Sequence, residues 1–275
     1  MNMPPRRRGT LERPDCSIAY EVTGSGPAIV FAHGLGGNHL SWFQQVAHFA
    51  PRWTCVTFAH RGFFPSSPLV GGPDPMEYGA DVAALVAHLG LGDVRVVGQS
   101  MGGWSAVEYA MTRPPELRAI VMAATTGSIS TAKLREPERG QLEGWAEAGA
   151  AQAKMCQAAG VHVAAGMRMA AEQPAMHLLY RHIDDQNAAM DKEGLRGRLM
   201  ASRTRAPEEL GQAGIPVLLI AGDEDIVMPP MSAEAIAAVV PGARAARIPQ
   251  AGHSGYFERP AVFNRLVGDF LEPTR

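Results

Sequence analysis

The most regular feature of the chain is a series of short apolar runs. Longer stretches separate them, in which apolar residues return every three or four positions. Ala28 to Ala32, Thr54 to Phe58, Val94 to Val97, Leu117 to Met122 and Pro216 to Ala221 are such runs. Continuous runs of this length suit strands covered on both faces, as in a parallel sheet. Cys16 to Val22, closed by Thr23-Gly24-Ser25-Gly26-Pro27, predicts an earlier strand, and Ala243 to Ile248 a weaker last one. Residues before Cys16 read as a frayed start. Between the runs, His39 to Ala50 puts Trp42, Phe43, Val46 and Phe49 on one helical stripe, and Tyr78 to Leu89 does so with Val82, Leu85, Val86 and Leu89. Met101 to Met111, Ala233 to Val240 and Ala261 to Leu271 complete the helices. Alternating strands and helices predict an α/β fold, a parallel sheet with helices on both faces.

One stretch breaks the alternation. From about 127 to 210 the pattern holds no strand, only Ala-, Met- and Glu-rich helical sequence interrupted at Gly140, Gly160, Pro174 and Gly194. Inserted between two sheet strands, it is expected to form a helical cap over one sheet end. Residues 1–126 and 211–275 then form the core domain. A chain of 275 residues suits one domain carrying such an insertion.

Composition and charge mostly exclude. Twenty-five Lys and Arg against 27 Asp and Glu leave a net charge of −2, and the only basic tract is Arg6-Arg7-Arg8, so nucleic acid is not an expected partner. Three separated cysteines, Cys16, Cys55 and Cys156, form neither a disulfide framework nor a zinc motif. No apolar run is long enough for a membrane span, and no apolar region follows the N-terminal arginines as in a secretory signal. A cytoplasmic protein without a membrane partner is the expectation. His177 and His182 near Asp184 and Asp185 are five residues apart, off one helical face, so no metal is expected there. No Gly-x-Gly-x-x-Gly or Walker-type loop points to a nucleotide.

Gly98-Gln99-Ser100-Met101-Gly102 matches Gly-x-Ser-x-Gly between a predicted strand and a predicted helix. A sharp turn there exposes the serine hydroxyl at a helix N-terminus and strains its backbone, while the glycines remove side chains that would clash. A serine hydroxyl needs a base, and the base needs an orienting group. His253 lies in Gly252-His253-Ser254-Gly255, beyond the last strand, where open α/β sheets build their sites. For the acid, Asp223-Glu224-Asp225 follows the fifth apolar run, and the residues alone do not separate the three.

With these motifs in hand, the chain resembles the α/β-hydrolase fold superfamily over nearly its whole length. The resemblance rests on His33-Gly34-Leu35-Gly36-Gly37, Gly98-Gln99-Ser100-Met101-Gly102-Gly103, Gly222-Asp223-Glu224-Asp225 with Pro229, and Gly252-His253. It implies a catalytic set of Ser100, Asp225 and His253, the acid falling on Asp225 through the Gly-x-x-Asp pattern. It also implies an oxyanion hole from the backbone N–H groups of Leu35 and Met101. His33, Gly34, Gly36, Phe64, Trp104 and Tyr256 are the expected substrate contacts. One departure stands out: His60 in Ala59-His60-Arg61-Gly62-Phe63-Phe64 occupies a place where relatives often have Asp, and a structural role is expected for it.

Residues 127–212 hold 11 basic and 11 acidic side chains, so they give no net steering of charged substrate. Six methionines spread through the same stretch offer adaptable apolar surface. The expected function is a cofactor-free serine hydrolase of a small to medium, largely apolar carboxylic ester or lactone. The alternatives are a carbon–carbon bond hydrolase of ring-cleavage diketones, or a ligand-binding homologue without catalysis.

Overall fold

The computed structural model describes residues 4–274. Eight strands form one sheet: β1 (Arg6–Glu12), β2 (Ser17–Thr23), β3 (Ala28–Ala32), β4 (Thr54–Phe58), β5 (Val94–Gln99), β6 (Leu117–Ala123), β7 (Val217–Gly222) and β8 (Arg244–Ile248). Their spatial order is β1-β2-β4-β3-β5-β6-β7-β8. The six strands from β4 to β8 along that order are parallel, and β1 and β2 are antiparallel additions at one edge.

Alternate side chains within each buried run serve opposite faces, which is why the runs are mostly apolar rather than alternating. Val30, Val56, Val96, Ile120 and Leu219 join one core. Ile29, Phe31, Cys55, Val97, Val121 and Ile220 join the other. The first core is closed by α2 (Tyr78–His88), α3 (Gly102–Met111) and α8 (Ser232–Val239). The second is closed by α1 (Phe43–Phe49) and α10 (Pro260–Leu271), through Phe49, Phe263, Val267 and Leu271. At about 1.5–3 kcal/mol per fully buried apolar side chain, these two layers dominate the stability. The stripe expected over His39 to Ala50 is split: His39–Trp42 forms a 3-10 turn capped by the Asn38 side chain before α1 begins.

The sequence reading of a frayed start is corrected by β1. Of its seven residues only Leu11 is buried, so no apolar alternation marks it. It is an edge strand, with Gly9 lying against the Tyr20 ring and Arg6 and Arg8 both reaching Glu21. Arginines along an exposed edge also discourage pairing with another sheet.

Between β6 and β7 the chain passes through α4 (Glu138–Ala158), α5 (Gly166–Glu172), α6 (Pro174–Asp185) and α7 (Lys192–Ala201). Gly160, at φ +68°, follows the end of α4, and Pro174 opens α6. Gly140 does not break a helix; it lies in the first turn of α4, its N–H held by Glu136. Gly194 likewise sits in the first turn of α7, its N–H bonded to the Asp191 side chain. This helical stretch is fastened to the loops at the strand ends. Asn38 Nδ2 donates to Gln186 Oε1 (2.7 Å), Asn187 accepts from Phe64 N (2.7 Å), and Arg168 forks onto Glu224 (2.7–3.0 Å). No helix among the described residues is long and apolar enough to cross a membrane.

Candidate active site

Four loops leave the carboxyl ends of β3, β5, β7 and β8 and converge on one side of the sheet. Ser100 stands in the turn from β5 to α3 with φ +51°, a left-handed conformation that costs a residue with a Cβ about 1–2 kcal/mol. The turn survives because its neighbours fix it. Ser100 N donates to Ala123 O (3.0 Å), and Gly103 N donates to Ser100 O (2.9 Å). A Cβ on Gly98 would overlap the Gly102 carbonyl, and one on Gly102 would overlap the Ala32 carbonyl. Glycine is required here by close backbone approach.

His253 is buried after β8, and its Nδ1 lies 2.9 Å from Asp225 Oδ2. The other Asp225 oxygen accepts from Val227 N (2.7 Å) and Met228 N (2.9 Å), which fixes the carboxylate plane. Asp223 instead faces outward to Arg247 (2.8 Å). Of the two aspartates left open by the residues, the fold thus brings Asp225 to the imidazole. With Nδ1 held by Asp225, Nε2 is left to act as a base. Ser100 and His253 border the same cavity of about 700 Å³. They form no side-chain hydrogen bond to each other among the described residues, and such contacts often tighten only when substrate is bound.

Leu35 and Met101 also border the cavity. Neither backbone N–H donates a hydrogen bond among the described residues, so both are available to a ligand oxygen. Gly34 packs against the Gln99 side chain and Ser100 Cβ, holding the loop after β3 close to the serine.

The expected substrate contacts divide. Gly36 and Trp104 border the cavity. His33 does not: it is fully buried, its Nδ1 bonded to Gly34 O (2.8 Å) and its Nε2 accepting from His60 N (3.0 Å). Both ring nitrogens are occupied, and burial pushes its pKa down to about 3, so it is a neutral loop anchor. Gly34 likewise does not line the cavity; it lies against Gln99 and Ser100 Cβ. Phe64 is 57% exposed on the outer surface, and Tyr256 is buried against Trp42 at a ring separation of 4.5 Å. Neither lines the cavity. His60, the departure noted in the sequence, is fully buried with Nε2 2.9 Å from Ser105 Oγ, and burial holds its pKa well below the usual range. It ties the loop after β4 to α3.

Three participants carry no signal in the motifs. Gln99 Nε2 donates to the His253 carbonyl (3.0 Å), linking the serine turn to the histidine loop. Glu258 receives the Gly252 and Ser254 N–H groups at 2.8 and 3.1 Å, clasping the peptides on both sides of His253. Burial raises its pKa to about 7. Arg203 enters the cavity wall from the end of the helical stretch.

Comparison with known proteins agrees with this architecture. The alpha/beta hydrolase fold family model matches residues 27–260. "Putative non-heme bromoperoxidase BpoC" of Mycobacterium tuberculosis is 29% identical over 275 residues, covering 93% of this chain and 97% of that protein. Among solved structures, an N-acyl homoserine lactone degrading enzyme superposes with a TM-score of 0.74 at 23% identity, covering 95% of this chain and 100% of its own. The enol-lactonase from Burkholderia xenovorans LB400 gives 0.72 at 22% identity, over 96% and 99% of the two chains. An eight-stranded, mostly parallel sheet with its loops converging around a strained serine, together with a family match across most of the chain, places this protein in the alpha/beta hydrolase family.

Proposed function

We propose that the protein is a serine hydrolase of carboxylic esters or lactones, with Ser100, His253 and Asp225 as its catalytic set. The observation that carries this reading is the buried 2.9 Å contact between His253 Nδ1 and Asp225, with His253 bordering the same cavity as Ser100, which stands at φ +51°. In the proposed reaction, His253 Nε2 takes the Ser100 proton as Oγ attacks the substrate carbonyl. The carbonyl oxygen becomes an oxyanion received by the Leu35 and Met101 amides. His253 then returns the proton to the leaving alcohol oxygen, and an acyl-enzyme remains. Water, deprotonated by the same imidazole, releases the acid and restores Ser100. Asp225 keeps the tautomer that presents a basic Nε2 and stabilises the imidazolium. The sequence needs no cofactor.

Residues 127–210 are proposed to act as a cap that gives the cavity its roof. Leu142, Trp145, Tyr180 and Leu199 come from that stretch and supply apolar wall. A largely apolar cavity with a few polar groups suits a compact acyl or lactone ring. Lactone chemistry in two structural neighbours supports the lactone part of this substrate class.

The test is covalent. A fluorophosphonate probe should label Ser100, mapped by digestion and mass spectrometry, and Ser100→Ala should abolish both labelling and ester turnover. Turnover that persists in Ser100→Ala would refute the proposal.

A further inference from the structure

We propose that the cavity is built for an acyl substrate bearing a second, ionised carboxylate, which Arg203 receives. This rests on the hydrolase reading and narrows its substrate to a half-ester or lactone with an anionic end.

Four cationic side chains border the cavity: Arg139, Lys192, Arg196 and Arg203. Three are neutralised locally. Arg139 pairs with Glu136 at 2.6 Å, Lys192 with Asp184 at 2.7 Å, and Arg196 with Glu193 at 3.0 Å. Arg203 forms no ion pair among the described residues. Its Nε is buried without a hydrogen-bond partner. Nη1 and Nη2 reach only the thioethers of Met200 (3.4 Å) and Met228 (3.5 Å), and the guanidinium lies 5.3 Å from the Trp104 ring centroid. Thioether sulfur is a weak acceptor, and an aromatic face only partly replaces hydration, so the cation is left undercompensated. Burial lowers its pKa, with no acid acting against it.

Its neighbours tie it to the reacting groups. Trp104 is one helical turn beyond Ser100 on α3, and its Nε1 donates to Ser202 Oγ (2.8 Å), beside Arg203 in the chain. Met228 is one of the two residues whose N–H groups hold Asp225 Oδ1. Arg203 thus lies between the serine helix and the acid loop. Nη1 and Nη2 each retain an N–H, the planar pair that fits a carboxylate. The zero net charge of the 127–212 stretch conceals this, because the other cations of the cavity wall are already paired.

The experiment compares monoethyl glutarate with ethyl pentanoate, chains of equal length that differ in the terminal carboxylate, by proton release at constant pH. The wild-type protein should favour the half-ester in kcat/KM. Arg203→Met should lower the half-ester to neutral-ester ratio by about 10- to 100-fold, chiefly through KM. Arg203→Lys should retain part of the ratio. A wild-type preference for ethyl pentanoate, or a ratio unchanged in Arg203→Met, overturns the proposal. Glutarate binding by calorimetry separates it from the hydrolase reading. If neither ester is cleaved and the fluorophosphonate probe leaves Ser100 unlabelled, the hydrolase reading fails, while glutarate bound by wild type but not by Arg203→Met still upholds the anion site. Equal binding by both, or by neither, overturns it. Should Arg203→Met not fold, Arg203→Lys supplies the same comparisons, since it keeps the charge but loses the planar pair.

Discussion

Glu258 offers a quantitative test of how the histidine loop is held. Its carboxylate is 3% exposed and accepts the N–H groups of Gly252 and Ser254, so both hydrogen bonds favour the ionised form. Burial opposes them and is the larger effect, reinforced by the Asp225 charge and offset in part by Arg259; the outcome is a pKa of about 7 against 4.5 for a free glutamate. The sign follows from linkage. A native pKa above the unfolded one means the native state binds the proton more tightly, so stability is greatest below pH 4.5 and falls as pH rises to 7. At 1.36 kcal/mol for each pH interval, the loss across that window is about 3 kcal/mol. Glu258→Gln cannot titrate. It also sets an NH2 group against one of the two amides, a roughly constant cost of about 1–3 kcal/mol. Urea denaturation of both proteins at half-unit steps from pH 4.5 to 8 isolates the titration, because only the difference between the two curves matters. The wild-type advantage over Glu258→Gln should fall by about 3 kcal/mol toward neutral pH, vanishing or reversing in sign before pH 8. Parallel curves would show that the carboxylate does not titrate in this range and would refute the reasoning.

What the sequence carried, and what it did not, has a common physical cause. Strands β3 to β7 are covered on both faces, so most of their positions are buried and apolar and the runs are visible despite Thr54, Thr57, Arg95 and Arg118. β1 satisfies its backbone through β2 while exposing nearly all its side chains, so Arg-Arg-Arg-Gly-Thr leaves no such trace. At the site, Ser100 was legible because its strained turn demands Gly98 and Gly102 at fixed spacing. The pairing of His253 with Asp225 rather than Asp223 depends on how the loop after β7 folds back, with Val227 and Met228 closing on the carboxylate. Four of the six expected substrate contacts lie off the cavity wall for a related reason. A residue adjacent to a motif in sequence can point behind the loop, as His33 does, or out to solvent, as Phe64 does. Glu258 and Arg203 lack a spacing rule because their roles arise from tertiary neighbours: two peptide N–H groups in one case, two thioethers and an indole in the other.

The remaining predictions concern the serine turn and the acid. Asp225→Asn should lower kcat by about 10³- to 10⁴-fold, because the imidazole loses its tautomer, while Asp223→Asn, which breaks only an exposed contact with Arg247, should leave kcat within a few-fold. Steady-state ester kinetics decide it, and the reverse result would move the acid role to Asp223. Gly102→Ala places a Cβ against the Ala32 carbonyl, backbone meeting backbone with no flexible side chain to yield, and should destabilise the fold by about 3 kcal/mol in urea denaturation. Ser100→Gly should be more stable than Ser100→Ala by about 1 kcal/mol, since glycine takes φ +51° without the penalty of a Cβ but gives up some of that gain to the greater freedom of its unfolded chain. Both variants lack the hydroxyl, so the difference between them isolates backbone strain from chemistry. Equal melting of the two would mean that the turn holds its serine without strain, and that the flanking glycines serve packing alone.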